Sequence, residues 1–360
     1  MISRRAVARE FGGTAAGVFV TLFAVLLTTQ LIRLLGQAAG GKILSESVVA
    51  LLAFGAIGYL PVLLTLTLFL TILLTFSRWY RDSEMVIWLA SGLPLSAWLR
   101  PVMRFTLPTV AVIALLSILL APWALQRSDA YRSRMDQRDD VARVSPGAFK
   151  ESSNADRVFF VENVAGDEGV VRNVFVSSMQ NGRLGVIATA QGKTELAPNG
   201  DRFLVLENGR RYEGTPGSAE FRVMEFARYA VRIEAGSGRD AEKTPRTQPI
   251  WELAKDSRPV DLAEILWRVG IPLVALNLSL LAVPLSFVNP RGGRTNNLVF
   301  ALLIFMIYSN LLSVSQAWVA QGRISFGIGV WGIHGVMFVF AVLLFLRRQF
   351  PLAFRVSRWR

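Results

Sequence analysis

Six long apolar segments constrain this chain more than any other feature of its sequence. They cover residues 11–32, 47–77, 105–126, 269–290, 295–322 and 324–346, and none contains Asp, Glu, Lys or Arg. Each has at least the roughly 20 residues that a helix needs to cross about 30 Å of hydrocarbon. In lipid, an isolated segment satisfies its backbone polar groups only as a helix. With 52% hydrophobic residues and a mean hydropathy of +0.41, the chain is predicted to be a membrane α-helical protein with six transmembrane helices.

Positive charge is unevenly distributed and predicts the orientation of the spans. The net charge is +13, yet residues 123–261, between the third and fourth apolar segments, carry 21 basic and 21 acidic residues. The excess therefore flanks the spans, where Lys and Arg accumulate on the cytosolic side. The pattern predicts that both termini are cytosolic, that residues 123–261 face outward, and that nucleic acid is not a partner. The basic residues predicted for the outer side of the membrane part are Arg33, Lys42, Arg268 and Arg323.

The connection between the second and third spans has the most distinctive sequence, RWYRDSEMVIWLASGLPLSAWLRPVMR, over residues 78–104. Its middle is predicted to form a short helix at about 82–93, which is too short to cross a bilayer. We expect this helix to lie at the cytosolic mouth and to offer a partner both carboxylates, from Asp82 and Glu84, and an apolar stripe. The residues of that stripe, at helical spacing, are Met85, Trp88, Leu89 and Leu93.

The outer segment has the composition of an all-β domain. After a charged stretch to residue 144, short runs rich in β-branched and aromatic residues occupy 158–162, 170–176, 185–190, 203–206, 221–226 and 229–233. Turn pairs separate them: Gly166-Asp167, Asn181-Gly182, Asn199-Gly200 and Asn208-Gly209. This spacing predicts a sandwich or barrel-like fold. The expected organisation is therefore 1–126 as three spans, 127–260 as the outer domain with its linkers, and 261–360 as three spans with a basic tail.

A few polar residues in or near the spans are candidate functional residues. Arg33 lies near the outer end of the first span with Lys42 beyond it, so each either snorkels to the interface or contacts an anionic lipid head group. Glu264 and Arg268 are four residues apart, so they either pair with each other or Arg268 faces a central cavity. His334, the only histidine, is predicted to make a hydrogen bond between helices in preference to relaying protons.

The sequence offers no catalytic, metal or cofactor site. The chain has no cysteine and one histidine, which excludes a zinc site of the usual Cys/His type. Residues 36–42, GQAAGGK, fit the pattern G-x-x-x-x-G-K, but Ile43 replaces the Ser or Thr of a phosphate-binding loop and no strand precedes it. We therefore predict a non-catalytic protein whose energy source is another subunit.

Several motifs in order resemble one family. They are LIRLLGQAAGGK (31–42), YRDSEM (80–85) and VPLSFVNPRGGR (283–294), with GRRYEG (209–214) and FRVMEF (221–226) in the outer segment. Together they resemble the lipopolysaccharide-export permeases of the LptF/LptG type, and more closely the LptF branch. The resemblance implies six spans with an inserted periplasmic β-jellyroll, in the inner membrane of a Gram-negative bacterium. It also implies an ABC transporter permease that extracts lipopolysaccharide from the outer leaflet and passes it to a jellyroll bridge.

The resemblance also implies partners and site residues. The partners are a paralogous LptG-type permease, a cytosolic LptB-type ATPase dimer, a single-span LptC-type jellyroll protein and lipopolysaccharide. The helix at 82–93 is similar to the coupling helix that docks on the ATPase, with Glu84 as its acidic contact. Arg33 and Lys42 lie where basic residues meet lipid A phosphates, and Arg268 joins them if it faces the cavity.

Two other classes of function were weighed. A six-span sensor or assembly protein with an outer binding domain needs a cytosolic effector region, and every predicted cytosolic segment here is short. A membrane enzyme acting on lipids needs converging acid, base or nucleophile groups. Its candidates, Glu46, Glu264 and His334, are far apart in sequence.

Overall fold

The computed structural model describes residues 4–40, 43, 45–142, 148–151, 157–165, 170–180, 183–196, 202–215, 221–234, 244–287 and 294–349. The chain divides into two compact units. The membrane unit comprises Met1–Arg132 and Thr244–Arg360, and the sheet unit comprises Ser133–Lys243.

Each predicted span lies largely within helix, and several of these helices extend beyond it. The α-helices are α1 (Arg4–Ala39), α2 (Val48–Arg81), α3 (Glu84–Ala90), α4 (Leu99–Leu115), α5 (Ala121–Ala142), α6 (Ile250–Asp256), α7 (Pro259–Leu285), α8 (Arg294–Ala320) and α9 (Phe326–Gln349). A π-helical segment, Leu116–Leu120, joins α4 to α5 without a break. Six helical stretches among the described residues are long and apolar enough to cross a bilayer, which confirms the six predicted spans.

The centre of the membrane unit is formed by α2 and α7, the most buried of the spans. Leu68, Phe69 and Ile72 of α2 belong to the same hydrophobic core as Leu278 and Leu281 of α7. In contrast, α8 and α9 expose large apolar side chains, as a helix does that faces hydrocarbon; they include Phe300, Met306, Ile307, Trp331 and Val336.

Contacts between helix ends bring the start of α1 and the ends of α2, α7 and α9 together at one end of the membrane unit. We call this end the terminal end. Arg78 near the end of α2 forms an ion pair with Glu10 near the start of α1. The Arg348 guanidinium of α9 lies 4.3 Å from the ring centroid of Phe287, just after α7, and Tyr80 packs on the same ring. The basic residues predicted to share one side of the membrane therefore share one end of the structure wherever they are described.

The described residues of the sheet unit form six antiparallel strands, each paired with its neighbours in sequence order. They are β1 (Ala148–Glu151), β2 (Arg157–Ala165), β3 (Val170–Gln180), β4 (Arg183–Leu196), β5 (Arg202–Gly214) and β6 (Phe221–Glu234). The inserted all-β domain is thus confirmed. Strands β3 to β6 have 11 to 14 residues, so they are longer than the short runs that the composition indicated.

The strand pairing is interrupted along one line that crosses the sheet from β2 to β6, and we call this line the crease. At this line the pairing register of each neighbouring strand pair skips one residue on both strands. Two of the skipped residues have left-handed backbone conformations, Asn173 with φ 50° and Asn208 with φ 51°. Because one residue is skipped on each partner strand, the register is the same on both sides of this line, and the pairing is interrupted without the extra residue of a β-bulge. The skipped positions are Glu162, Asn173, Ala190, Asn208 and Ala227.

The crease corrects the prediction of a turn at Asn208-Gly209, because β5 continues through both residues. Asn208 does adopt the left-handed conformation that an Asn-Gly hairpin turn requires, but it lies at the crease inside the strand. Likewise, the runs at 221–226 and 229–233 are one strand, β6, with Ala227 at the crease. The turn pairs Gly166-Asp167, Asn181-Gly182 and Asn199-Gly200 lie outside the described residues.

Apolar side chains from both sides of the crease belong to one buried cluster. Val176 and Ile187 on one side of the crease belong to the same buried cluster as Leu204, Leu206 and Val231 on the other. The hydroxyl of Thr189 lies beside the crease, 2.6 Å from the Glu207 carbonyl oxygen and 3.0 Å from that of Gln191. This side chain thereby supplies polar contacts where the backbone ladder is interrupted.

Candidate functional site

The helix α3, predicted at about 82–93, is shorter in the structure and spans Glu84–Ala90. Ser83 precedes it with a left-handed φ of 61°, so the chain turns sharply after α2 ends. Gly92, with a φ of 89°, ends the segment in a conformation that glycine adopts without strain. Asp82 therefore caps the end of α2 and does not belong to α3.

An aromatic cluster holds α3 against the terminal end of the membrane unit. The Trp88 ring lies 4.7 Å from that of Trp98 and 5.6 Å from that of Trp79, measured between centroids. Met85 is fully buried in the same core. Met85 is therefore enclosed in the core and not exposed to a partner as expected, whereas Trp88 is only partly buried, so it anchors the helix and keeps part of its ring exposed.

A different apolar face of α3 is exposed. Ile87 is 65% exposed and Val86 is 55% exposed, while Leu89 and the following Leu93 are about two-fifths exposed. Leu89 and Leu93 of the predicted stripe are thus exposed, and Val86 and Ile87 are exposed residues that helical spacing missed. The tryptophans that flank the segment were the available signal, because large aromatic rings need partners and bury one face of a short helix.

The two carboxylates predicted for this site differ in their surroundings. Asp82 lies 3.5 Å from the Arg81 guanidinium and 4.0 Å from that of Arg78. Glu84 occupies the first turn of α3, is partly exposed, and has no ion-pair partner among the described residues. Because Asp82 is already neutralised by two arginines, Glu84 is the carboxylate that remains available to a basic group.

The predicted phosphate-binding residues are not brought together in the described part of the chain. Arg33 is exposed near the end of α1 that lies opposite the terminal end, and no ion pair holds it among the described residues. Lys42 lies outside the described residues. Residues 36–39 continue α1 as helix, in keeping with the rejection of a phosphate-binding loop at that position.

Arg268 is enclosed by partners. Its guanidinium donates from Nε to Glu264 at 2.9 Å, which confirms the alternative of pairing within α7. It also donates from Nη1 to the Gln248 carbonyl at 2.8 Å, and from Nη2 to the Pro245 and Arg246 carbonyls at 2.9 and 3.1 Å. With four of five N–H groups bonded and 2% of the residue exposed, Arg268 fastens residues 245–248 to α7.

A polar cluster connects the last three spans. The Asn277 amide of α7 donates to the Tyr308 hydroxyl of α8 at 2.8 Å and to the His334 carbonyl of α9 at 3.0 Å. The Tyr308 hydroxyl and His334 Nδ1 are 2.6 Å apart. This arrangement is the hydrogen bond between helices that was predicted for His334. No group of three or more His, Cys, Asp or Glu residues in the described ranges is placed to hold a metal ion.

Comparisons with known proteins agree with this architecture. Residues 5–347 match the family described as "Lipopolysaccharide export system permease LptF/LptG". The chain is 26% identical over 357 residues to lipopolysaccharide export system permease protein LptF of Escherichia coli K12, covering 98% of this chain and 96% of the relative. LptF of Shigella flexneri matches with the same identity and coverage. Because the family match extends over almost the whole chain, this protein belongs to the lipopolysaccharide export system permease LptF/LptG family.

Proposed function

We propose that this chain is a permease subunit of an ABC transporter that extracts lipopolysaccharide from the outer leaflet of the inner membrane. The chain would pair with an LptG-type paralogue and pass the lipid to a periplasmic jellyroll bridge that includes a single-span LptC-type protein. Both termini are cytosolic and the sheet unit is periplasmic in this proposal. The positive charge at the terminal end and the neutral balance of residues 123–261 support that orientation.

The observation that carries the proposal is the construction of α3. A seven-residue helix is marginal in isolation, yet here Met85 and Trp88 fix it against the core. Its outer face exposes Val86 and Ile87 at the terminal end of the membrane unit. An exposed apolar face on a rigidly held helix is typical of a docking surface. A cytosolic LptB-type ATPase dimer is the partner that we propose for this surface.

For substrate, we propose that Arg33 and Lys42 contact lipid A phosphates. Arg33 supports this role because it is exposed at the proposed outer end of α1 and is not ion-paired within the described residues. Guanidinium groups bind phosphate through two parallel hydrogen bonds. We do not extend the role to Arg268, since its guanidinium is engaged by Glu264 and backbone carbonyls. The apolar core of the sheet unit is proposed to accept acyl chains.

The experiment that tests the proposed function is reconstitution. The chain, an LptG-type permease and an LptB-type ATPase are placed in vesicles with lipopolysaccharide, and its transfer to a soluble jellyroll acceptor is measured. We expect transfer that requires ATP, and a decrease with Arg33→Glu of about tenfold or more, since a charge-assisted contact becomes a repulsion. Transfer that is independent of ATP would refute the function, and unchanged transfer with Arg33→Glu would remove Arg33 from the substrate site.

A further inference from the structure

Two cavities follow one another between α1 and α4 on the membrane unit, and together we call them the groove. Its lower part, near the terminal end, is a cavity of about 200 Å³ lined by Val7 and Phe11 of α1, by Trp98 just before α4, and by Arg104 and Phe105 of α4. Its upper part is a cavity of about 250 Å³, with Ala16 and Phe19 of α1 facing Leu68 of α2 and Thr109 of α4. Phe105 lines both cavities, so they follow one another along the same pair of helices.

The length of this groove corresponds to one leaflet. Along α1 it extends from Val7 to Phe19, which is about 18 Å at the helical rise of 1.5 Å per residue. Half of the hydrocarbon core of a bilayer is about 15 Å. The groove therefore begins at the interface of the terminal end and stops near the bilayer centre.

The described walls of the upper cavity present no free hydrogen-bond donor. The hydroxyl groups among them belong to Thr67 and Thr109. Thr67 donates to the Leu63 carbonyl at 2.8 Å, and Thr109 donates to the Phe105 carbonyl at 2.9 Å. Both donors are thus used within their own helices. A hydrocarbon chain fits such a surface, whereas an extended peptide segment would leave its backbone groups without partners.

The lower cavity adds a cation to this apolar surface. Arg104 lines it, is exposed, and has no ion-pair partner among the described residues. Arg100, one turn earlier on the same helix, is exposed as well. An apolar groove one leaflet long with a guanidinium at its interfacial end complements an acyl chain that carries a phosphate.

We propose that the groove between α1 and α4 binds one anionic glycerophospholipid from the leaflet at the terminal end. One acyl chain lies along Ala16 and Phe19, and the phosphate accepts hydrogen bonds from Arg104. In the orientation proposed above, this lipid belongs to the cytosolic leaflet. It is therefore distinct from the transported lipopolysaccharide of the opposite leaflet, and the site stands independently of the transport proposal.

Native mass spectrometry of the full-length chain, released from micelles containing phosphatidylglycerol or phosphatidylcholine, tests this proposal. We expect one retained lipid per chain and a preference of about tenfold for phosphatidylglycerol, because phosphatidylcholine carries the same phosphate but its choline cation offsets the negative charge that Arg104 meets. Arg104→Gln should abolish the preference. Ala16→Phe should remove the retained lipid of either kind, because the new ring fills the groove. Ala16→Leu introduces a smaller side chain that the fold accommodates more easily than phenylalanine, and it should weaken retention.

Two matched variants separate the groove from general effects. Ala24→Phe places the same ring on an exposed position of α1 that does not line the groove, and Arg347→Gln removes an exposed guanidinium from the terminal end of α9. Both should retain phosphatidylglycerol like the parent chain. Equal loss with Ala24→Phe and the Ala16 variants, equal loss with Arg347→Gln and Arg104→Gln, or no retained lipid in the parent chain would overturn the proposal.

Discussion

At the scale of single residues, two carboxylates that are two positions apart have different fates. Asp82 is neutralised by Arg81 and Arg78, whereas Glu84 starts α3 without an ion-pair partner in the described structure. An acidic residue in the first turn of a helix is favoured by the helix dipole, so Glu84 is compatible with α3 and still exposes its charge. Sequence alone placed both residues in one helix, because the left-handed Ser83 that separates them has no sequence signature.

We therefore predict that Glu84→Gln weakens ATPase binding by about 10- to 100-fold, the range for a lost hydrogen bond between charged groups. Asp82→Asn should change the affinity by less than about fivefold, because exposed ion pairs contribute about 1 kcal/mol or less. Binding of purified ATPase to the detergent-solubilised permease pair measures both. A larger effect of Asp82→Asn would reverse the assignment of the two carboxylates.

Arg268 gives a second prediction at this scale. Arg268→Gln leaves Glu264, which is 7% exposed, without its partner and frees three carbonyls of residues 245–248. Breaking a buried ion pair from one side typically costs about 3–5 kcal/mol. We expect a clear decrease in the thermal unfolding temperature of the purified chain, followed by tryptophan fluorescence.

The double variant Arg268→Met, Glu264→Leu is the control for this effect. It removes both charges, so it should recover much of the stability lost in the single variant. If Arg268→Gln unfolds at the same temperature as the parent chain, the described hydrogen bonds do not stabilise the fold. The i,i+4 pairing was predictable from spacing, but the three carbonyls come from a segment twenty or more residues away, which no local pattern indicates.

At the scale of elements, the spans were predictable and the strands were less so. Each span is defined by its own hydrophobicity, a local property that the bilayer requires. The bounds of α3 and the crease of the sheet depend instead on tertiary packing, of Trp88 against Trp79 and Trp98 in one case and of two half-sheets in the other. Asn208-Gly209 has the composition of a hairpin turn and was predicted as one, although it lies inside β5.

The crease predicts a selective effect at Gly209. A Cβ atom there would lie 2.5 Å from Phe226 Cζ and 2.8 Å from the Ala188 carbonyl oxygen. Gly209→Ala should therefore destabilise the sheet unit by about 1–3 kcal/mol, as overpacking does. Hydrogen exchange of the β5 amides in the full-length chain is the measurement, and we expect faster exchange.

Gly185→Ala in β4 is the matched control, since the nearest atom to its added Cβ would be Ser178 Oγ at 3.5 Å, an ordinary contact. In Gly185→Ala, the β5 amides should exchange at the same rate as in the parent chain. Equal protection of β5 in Gly209→Ala and Gly185→Ala would show that the close approach at the crease does not constrain the sheet.

At the scale of the whole molecule, the order of apolar and charged segments was sufficient to predict six spans with one inserted β domain. The division of basic residues between the two ends of the membrane unit also followed from sequence, because an even number of spans returns the chain to the same side. The exposed face of α3, which is the proposed docking surface, could not be predicted from the sequence. It depends on which face of α3 the aromatic cluster buries, and that face is determined by helices distant in sequence.

In the proposed transporter, force from the ATPase reaches this chain through the exposed face of α3. The direct test is the amount of ATPase that co-purifies with the permease pair carrying Ile87→Asp, compared with Ile328→Asp. Both isoleucines are 65% exposed, but Ile328 lies in the first turn of α9, opposite the terminal end. We predict at least about a tenfold loss for Ile87→Asp, from lost apolar burial, and none for Ile328→Asp. Undiminished recovery of ATPase with Ile87→Asp would contradict the claim.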